Sequence, residues 1–255
     1  MDAGAGEFRA AGDVALKEQF DNHDGFRPQA GPFLAGRAAT LVLAAGGAEL
    51  EVELGADGTA RWRLGEEVGA CPYEAFELRP GIVAVAARVA ERRSVFAILV
   101  GDRGIAAFAA LEDRGGEVAE RTTYVQFGVD GPLGEPFETT AELVGKRIHW
   151  RYSSTHAFEH IYLDQSSYCW HCIEGPERGI GDVDPCVYYR LADDLYLFSW
   201  SETVVPFNGA VAIDLRDGAS TGRFFGWDTE RGEADQIVVG ARGTLLNETT
   251  YPGPS

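Results

Sequence analysis

The second half of the sequence concentrates the side chains that can transfer protons. Residues 34–142 contain no histidine, whereas residues 143–255 contain His149, His156, His160 and His171. The second half also holds four of the five tryptophans and seven of the nine tyrosines. Because an imidazole beside a carboxyl group can take up and release a proton near neutral pH, we place the chemistry in this half and a supporting role in the first. The alternative is that the second half simply has a more aromatic core.

One imidazole and one carboxylate are the candidates for acid–base catalysis. We predict that His171 and Glu159 point into the protein interior. Burial there raises the pKa of a carboxyl group and lowers that of an imidazole, so both move towards neutrality. The hydroxyl groups of Tyr188 and Tyr196 are predicted to assist them. The alternative is a buried hydrogen-bonded pair with a purely structural role.

Aromatic side chains and one polar loop are predicted to bind the substrate. The aromatic side chains assigned to this role are Trp170, Tyr189 and Trp200. The loop at 174–184 carries four acids and one arginine among its glycines. Arg178 is predicted to hold a substrate carboxylate, with Glu174 or Asp182 orienting it. The alternative is an ordinary turn whose acids cap backbone N–H groups.

The cysteines do not predict a metal site. Cys169 and Cys172 have a C-x2-C spacing, and Cys186 lies nearby. Residues i and i+3 of a strand point to opposite faces, so the first two cannot share an ion unless a bulge intervenes. The sequence also shows neither a Walker loop nor a Gly-x-Ser-x-Gly elbow. We therefore predict no metal and no organic cofactor.

A framework that occurs twice must position these side chains. Residues 34–37 align with residues 143–146 at an offset of 109, and residues 72–87 align with residues 185–200 at an offset of 113. Two copies of one framework act as controls for each other, because what one copy has and the other lacks is a candidate for function.

The repeat also assigns a face to each candidate. In the first half, the alternation around Leu50 and Trp62 predicts that both point inwards. At an offset of 109, Leu50 corresponds to Glu159 and Trp62 corresponds to His171. These two are therefore predicted to lie inside, whereas His160 is predicted to face solvent or the other half of the protein.

Short alternating segments separated by glycine-rich turns predict an all-β protein. The clearest is AELEVEL at 48–54, whose apolar and acidic residues alternate as in a strand buried on one face. About eight such segments in each half predict an antiparallel meander that closes into a barrel. We predict two tandem barrels, with one composite barrel built from both halves as the alternative.

The predicted division has four parts: a flexible N-terminal arm at 1–33, a first repeat at 34–128, a linker at 129–142 and a second repeat at 143–255 that carries the site. His23 lies in the arm, outside both repeats. We favour a solvated loop there, and the alternative is that this residue closes over a pocket.

The composition excludes several classes of partner. A net charge of −18 argues against nucleic acid and anionic membranes, which bind basic surfaces. No run approaches the roughly 20 apolar residues of a membrane-spanning helix. The start of the chain lacks the apolar core of a signal peptide, and four cysteines without such a signal favour reduced thiols in the cytoplasm. A homo-oligomer is compatible with this composition.

Several stretches carry a family signature. They are YCWHCIEG at 168–175, ERG at 177–179 and LADDLYLFSW at 191–200, and the first half agrees more loosely at 34–37, at Trp62 and at 79–81. Together they resemble the MoaF family. The resemblance implies lipocalin-like (calycin) β-barrels and, through the family label, a role in molybdenum cofactor biosynthesis. Ala84, Ala86 and Ala87 stand where the family commonly has larger residues, which implies an emptier interior in the first barrel.

The residues and the resemblance lead to one expected function and two alternatives. We expect a cofactor-independent enzyme of specialised metabolism, which decarboxylates, isomerises, dehydrates or cyclises a small apolar or aromatic acid inside the second barrel. A non-catalytic lipocalin-like binding protein is the first alternative, and a role associated with molybdenum cofactor biosynthesis is the second.

Overall fold

The computed structural model describes residues 16, 20, 23, 25–34, 36 and 49–250, and the backbone of 38–42. Almost all of this part of the chain that has regular structure is β-strand. The first eight strands are β1 (Ala38–Val42), β2 (Glu49–Leu54), β3 (Thr59–Leu64), β4 (Glu67–Arg79), β5 (Ile82–Ala90), β6 (Arg93–Val100), β7 (Arg103–Arg114) and β8 (Glu117–Gly128). The second eight are β9 (Lys146–Arg151), β10 (Ala157–Tyr162), β11 (Ser167–Glu174), β12 (Gly181–Ala192), β13 (Leu195–Ser201), β14 (Phe207–Asp214), β15 (Ala219–Asp228) and β16 (Glu233–Glu248).

Each half forms its own antiparallel sheet. Strands β1 to β8 pair in sequence order, and β1 also comes close to β8. Strands β9 to β16 form a closed barrel, in which β16 pairs back onto β9. The all-β prediction with two tandem antiparallel units is therefore confirmed. The alternative of one composite barrel is wrong, because the named strands pair only within their own half.

The two halves repeat the same strand order, with one difference in the first connection. Val42 pairs with Glu49 across β1 and β2, and Arg151 pairs with Ala157 across β9 and β10, so the two paired positions are one residue closer in sequence in the second half. The offset between the halves is consequently 109 at the end of β1 (151 − 42) and 108 at the start of β2 (157 − 49). The gapless alignment at 109 through these strands was wrong by one residue, which in a strand exchanges the two faces.

The second alignment, at an offset of 113, agrees with the structure. The β4–β5 hairpin turns at Gly81 and the β12–β13 hairpin turns at Asp194, which lie 113 residues apart. Both adopt left-handed backbone conformations, with φ of 77° and 58°. Glycine and aspartate are among the residues that tolerate this conformation, so the same turn is built with two different residues.

The two sheets pack face to face through small side chains. Ala84 and Ala86 of β5 lie in one buried cluster with Ala210 and Ala212 of β14. The expectation that the first two thin out the interior of the first unit is therefore wrong, because they point towards the second unit. Ala87 does face the first interior. Small residues on both sides allow the two sheets to approach closely.

The first unit carries an open cleft of about 1030 Å³, and exposed charged side chains of β2 and β3 form part of its lining. Trp62 and Phe127 contribute to the lining, and the indole ring of Trp62 lies flat over Gly69, where a Cβ atom would stand 2.5 Å from the ring. Within the described residues of this unit, β1 and β8 are not hydrogen-bonded to each other, whereas the second barrel closes between β16 and β9.

Three residues of the N-terminal segment are buried, and two of them belong to the core of the second barrel. Leu16, Phe20 and His23 are 7%, 6% and 2% exposed, and the first two lie in that core. Most of residues 25–33 are exposed, although Gly31 donates a backbone hydrogen bond to Ala75 of the first sheet. The preferred interpretation of a solvated loop at His23 is therefore wrong. No helix in the described part of the chain is long and apolar enough to cross a bilayer.

Candidate functional site

Aromatic rings fill the interior of the second barrel. Alternate residues of each strand point inwards, and in this half most of them are aromatic. The buried aromatic residues of this core are Phe20, Trp150, Tyr152, Tyr162, Tyr168, Trp170, Tyr188, Tyr196, Phe198, Trp200, Phe207 and Phe224. Their rings meet mostly edge to face, the arrangement that aromatic quadrupoles favour.

One histidine lies inside this aromatic core. The imidazole of His160 is 5.2 Å from the ring of Tyr168, 5.9 Å from Phe198 and 6.0 Å from Trp200, measured between centroids. His160 is 5% exposed, and burial lowers its pKa to about 3, so the ring is neutral at physiological pH. Its buried Nδ1 atom has no hydrogen-bond partner among the described residues. A buried polar atom without a partner is costly, so this atom is a candidate for contact with a ligand.

His160 borders a small cavity near the N-terminal segment. The cavity has a volume of about 40 Å³, which is room for water and too little for an organic substrate. It is lined by Phe20, His23, Tyr152, Phe158, His160, Tyr168, Trp170, Glu177, Trp200, Glu202, Phe207 and Phe224. The ring of Phe20 packs 5.9 Å from Phe207 and 6.2 Å from Phe224, so the N-terminal segment occupies space that the barrel walls would otherwise enclose.

Carboxyl groups gather on one side of the cavity. Burial raises the pKa of Glu202 well above its usual range, and the carboxylates of Glu177, Asp184 and Asp182 raise it further. Burial also raises the pKa of Asp184, although this group accepts a 2.8 Å hydrogen bond from Nε1 of Trp170. The site therefore combines a neutral imidazole, which can accept a hydrogen bond, with a carboxyl group whose pKa is raised by burial and by its acidic neighbours.

A comparison of equivalent positions in the two units shows which cavity residues are particular to the second. In the first unit, Val52 pairs across strands with Trp62, and in the second, His160 pairs with Trp170 at the same place in the framework. An imidazole therefore replaces an isopropyl group beside an equivalent tryptophan. The aspartate that holds Trp170 is also particular to the second unit, because Cys71 occupies the corresponding position.

The predicted inward orientation of His171 and Glu159 is wrong. The side chain of His171 is 46% exposed, and its Nδ1 lies 3.9 Å from a carboxylate oxygen of Glu159. Glu159 is buried but lies on the outer wall, where Arg147 donates a hydrogen bond to it. Both errors follow from the one-residue difference between the halves, which places His160 inside instead.

The two tyrosines predicted to assist catalysis lie in the core but do not line the cavity. Tyr188 stacks on Phe198 at 5.4 Å, and its hydroxyl group contacts the backbone oxygen of Ser167 at 3.3 Å. The hydroxyl group of Tyr196 donates a 2.7 Å hydrogen bond to Glu142. Burial raises the pKa of both phenols, so neither is ready to lose a proton at neutral pH.

The predicted aromatic binding residues divide into two groups. Trp170 and Trp200 are 4% exposed and line the cavity, as the prediction requires. Tyr189 instead points out of the barrel towards the first unit, where its ring lies 6.0 Å from that of Tyr124. Neighbouring residues of a strand alternate between the two faces, so Tyr188 and Tyr189 cannot both point inwards.

The loop at 174–184 brings a different acid to the cavity from those predicted. Glu174 forms an ion pair with Arg151, with both N–O distances 2.9 Å. Arg178 is exposed, and Asp182 accepts a hydrogen bond from the following backbone N–H group. The buried acids of the loop are Glu177 and Asp184, at 6% and 1% exposure, and Glu177 is the one that lines the cavity.

Cys169 and Cys172 lie on opposite faces of one strand, as their spacing predicts. Cys172 points into the barrel core, and Cys169 is partly exposed on the opposite face of β11. Within the described ranges, no group of three or more His, Cys, Asp or Glu side chains is placed to hold a metal ion.

Among the ionisable side chains that line the cavity, sequence reasoning missed His160, Glu177 and Glu202 and gave His23 only as an alternative. One of them had a signal in the sequence: Phe158, His160 and Tyr162 alternate with more polar or smaller residues, which places the histidine on the aromatic face. The two acids lie in turns, where strand alternation gives no orientation.

Comparison with known proteins follows the same division into halves. A profile of the MoaF N-terminal domain matches residues 14–113, and a profile of the MoaF C-terminal domain matches residues 137–249. Protein MoaF of Klebsiella aerogenes is 41% identical over 122 residues, which are 48% of this chain and 45% of that protein. The aligned part thus spans less than half of the relative.

A solved structure gives a weaker likeness. A crystal structure described as a candidate beta-lactamase from Burkholderia vietnamiensis matches 41% of this chain and 95% of its own at 16% identity, with a TM-score of 0.35. That similarity is too low to support any statement about activity. The two family profiles, by contrast, cover most of the sequence, and the chain belongs to the MoaF family.

Proposed function

We propose that the second barrel binds a small, largely apolar molecule in the cavity beside His160 and transfers a proton on it. The observation that carries this proposal is His160, which lines the cavity and whose buried Nδ1 atom has no hydrogen-bond partner among the described residues. The cost of burying such an atom is recovered when a ligand supplies the missing hydrogen bond.

The cavity supplies both partners of a proton transfer. His160 is neutral and can accept a proton, and Glu202, whose pKa is raised first by burial, can donate one. Removing a proton at one carbon and returning it at another is an isomerisation, and returning it to a departing hydroxyl group is a dehydration. Aromatic walls exclude water, which strengthens the electrostatic contacts of such a reaction.

Phe20 must move before a substrate of ring size can enter. The cavity of about 40 Å³ lies against this side chain, which fills the space between Phe207 and Phe224. The N-terminal segment is thus part of the site in this proposal, as a side chain that a ligand displaces.

The test starts from whatever molecule the protein carries in its host. Native mass spectrometry of the purified protein, followed by extraction, identifies that molecule. The extracted ligand is then incubated in D₂O with the wild-type protein, with His160→Phe and with His171→Phe as the matched surface control. We expect deuterium in the ligand with the wild type and the control, and none with His160→Phe. A ligand that binds but exchanges no deuterium with the wild type would show a carrier and refute the catalytic proposal.

A second candidate function rests on family membership. The resemblance to MoaF implies a role associated with molybdenum cofactor biosynthesis, in which the barrel binds an intermediate of that synthesis. Deletion of the gene in the host then lowers the activity of molybdenum enzymes, and the His160→Phe variant does not restore it. Unchanged molybdenum enzyme activity in the deletion strain would exclude this role.

A further inference from the structure

The charges around the cavity indicate what kind of ligand it takes. Among the described residues that line it, Glu177 and Glu202 carry carboxyl groups, and no lysine or arginine is present. Arg178, which the sequence assigned to a substrate carboxylate, is exposed on the loop instead. The ligand side of the site is therefore rich in acids.

The neighbouring carboxylates affect the pKa of Glu202. After burial, the causes that raise the pKa of Glu202 are the carboxylates of Glu177, Asp184 and Asp182, and no neighbouring cation lowers it. A second anion in the cavity would add to this repulsion, and a cation would relieve it. The electrostatics thus oppose the acidic ligand expected from the sequence.

The remaining walls also suit a cation. Trp170 and Trp200 both line the cavity, and the faces of indole rings attract ammonium groups. The neutral ring of His160 can present its unpartnered Nδ1 as an acceptor to an N–H group of the ligand. This buried atom is an observation independent of the acids, and its residue, His160, lines the same cavity.

We propose that the second barrel recognises a compact organic amine, held as an ammonium ion between the carboxyl groups and the tryptophan faces. This inference rests on the proposed function and names the substrate class of the same site. The amine nitrogen and Glu202 then share one proton, which stays available for the acid step of the reaction.

The test compares three probes of the same size and different charge. Benzylamine, benzyl alcohol and benzoate are titrated by calorimetry near neutral pH into the wild-type protein and into Phe20→Ala. This variant removes one phenyl ring from the site. In the Glu202→Gln variant this side chain can no longer become a carboxylate when an ammonium ion binds, and Glu117→Gln changes an exposed acid outside the cavity lining as the control. Circular dichroism checks that each variant is folded.

We expect benzylamine to bind at least about tenfold more tightly than either other probe, with the preference lost in Glu202→Gln and kept in Glu117→Gln. Equal binding of the amine and the alcohol, or tighter binding of benzoate, would overturn the inference while leaving a cavity that binds small molecules. If no probe binds even to Phe20→Ala, the cavity takes no ring-sized ligand, and the proposed function fails together with the inference.

Discussion

Replacing His160 with phenylalanine tests whether burial keeps this imidazole neutral. Phenylalanine fits the aromatic surroundings of the ring and removes both nitrogen atoms. At neutral pH, an unpartnered buried polar atom costs the native state about 1–3 kcal/mol. We therefore expect His160→Phe to be more stable than the wild type by up to that amount, less about 1 kcal/mol for the slightly larger ring.

The pH dependence of this difference gives the sharper result. The pKa of His160 is about 3 in the folded protein and about 6.5 when the chain is unfolded, so below pH 6.5 only the unfolded state binds the proton. Wild-type stability is lost as the pH falls through this window, and phenylalanine has no such loss. The unfolded imidazole is half protonated at pH 6.5 and almost fully protonated at pH 4.5, so the slope rises towards about 1.4 kcal/mol per pH unit, and the advantage of the variant grows by about 2.3 kcal/mol between these two pH values.

Urea unfolding of both proteins at a series of pH values measures this difference. His171→Phe is the control, because it removes an imidazole whose side chain is 46% exposed on the outer wall. Taking the difference between variant and wild type cancels the titration of the carboxyl groups common to both. If the stabilities of the wild type and His160→Phe stay parallel from pH 6.5 to pH 4.5, His160 is not held neutral by burial, and its role as a buried base is refuted.

Two further changes test the contact between the units and the packing of the core. Arg79 and Asp214 join the first and second units through two 2.7 Å hydrogen bonds. Burial raises the pKa of Asp214, but the Arg79 guanidinium and the backbone N–H groups of Asp217 and Arg216 together outweigh it, and the pKa is lowered. We expect Asp214→Asn to cost about 3 kcal/mol at neutral pH, with the difference from wild type vanishing in urea titrations as the pH falls below about 4, through the lowered pKa. Gly209→Ala would place a Cβ atom 2.2 Å from the ring of Trp200, so we expect it to lower the thermal midpoint by an amount equivalent to about 1–3 kcal/mol. Gly131→Ala meets nothing within 4 Å and serves as its control; equal midpoints for the two variants would contradict the packing.

Much of the fold could be predicted from the sequence because strand alternation is a local signal. The alternation of Leu50, Val52 and Leu54 with glutamates places the apolar set inside, and the structure agrees. The turn that Gly81 and Asp194 share fixes the later alignment of the halves. These features depend on neighbouring residues only, so one sequence is enough to read them.

The site could not be predicted as well because it depends on lengths and on turns. One residue fewer between β9 and β10 exchanges the faces of His160 and Glu159, and an alignment of two divergent repeats does not detect so small a change. Glu177 and Glu202 reach the cavity from connections between strands, where no periodicity applies. His23 comes from outside the repeat altogether, so the comparison of halves had no counterpart for it.

The packing of the two units leaves some strands without any solvent face. Residues 82–87 of β5 and all of β14 are buried on both sides, although antiparallel strands commonly keep one wet face. An antiparallel strand with one face in solvent usually accepts polar residues at every second position, but a strand buried on both faces does not. A library of random variants selected for folding is therefore expected to reject polar residues at consecutive positions of β5 and β14, while in β2 it accepts them at every other position.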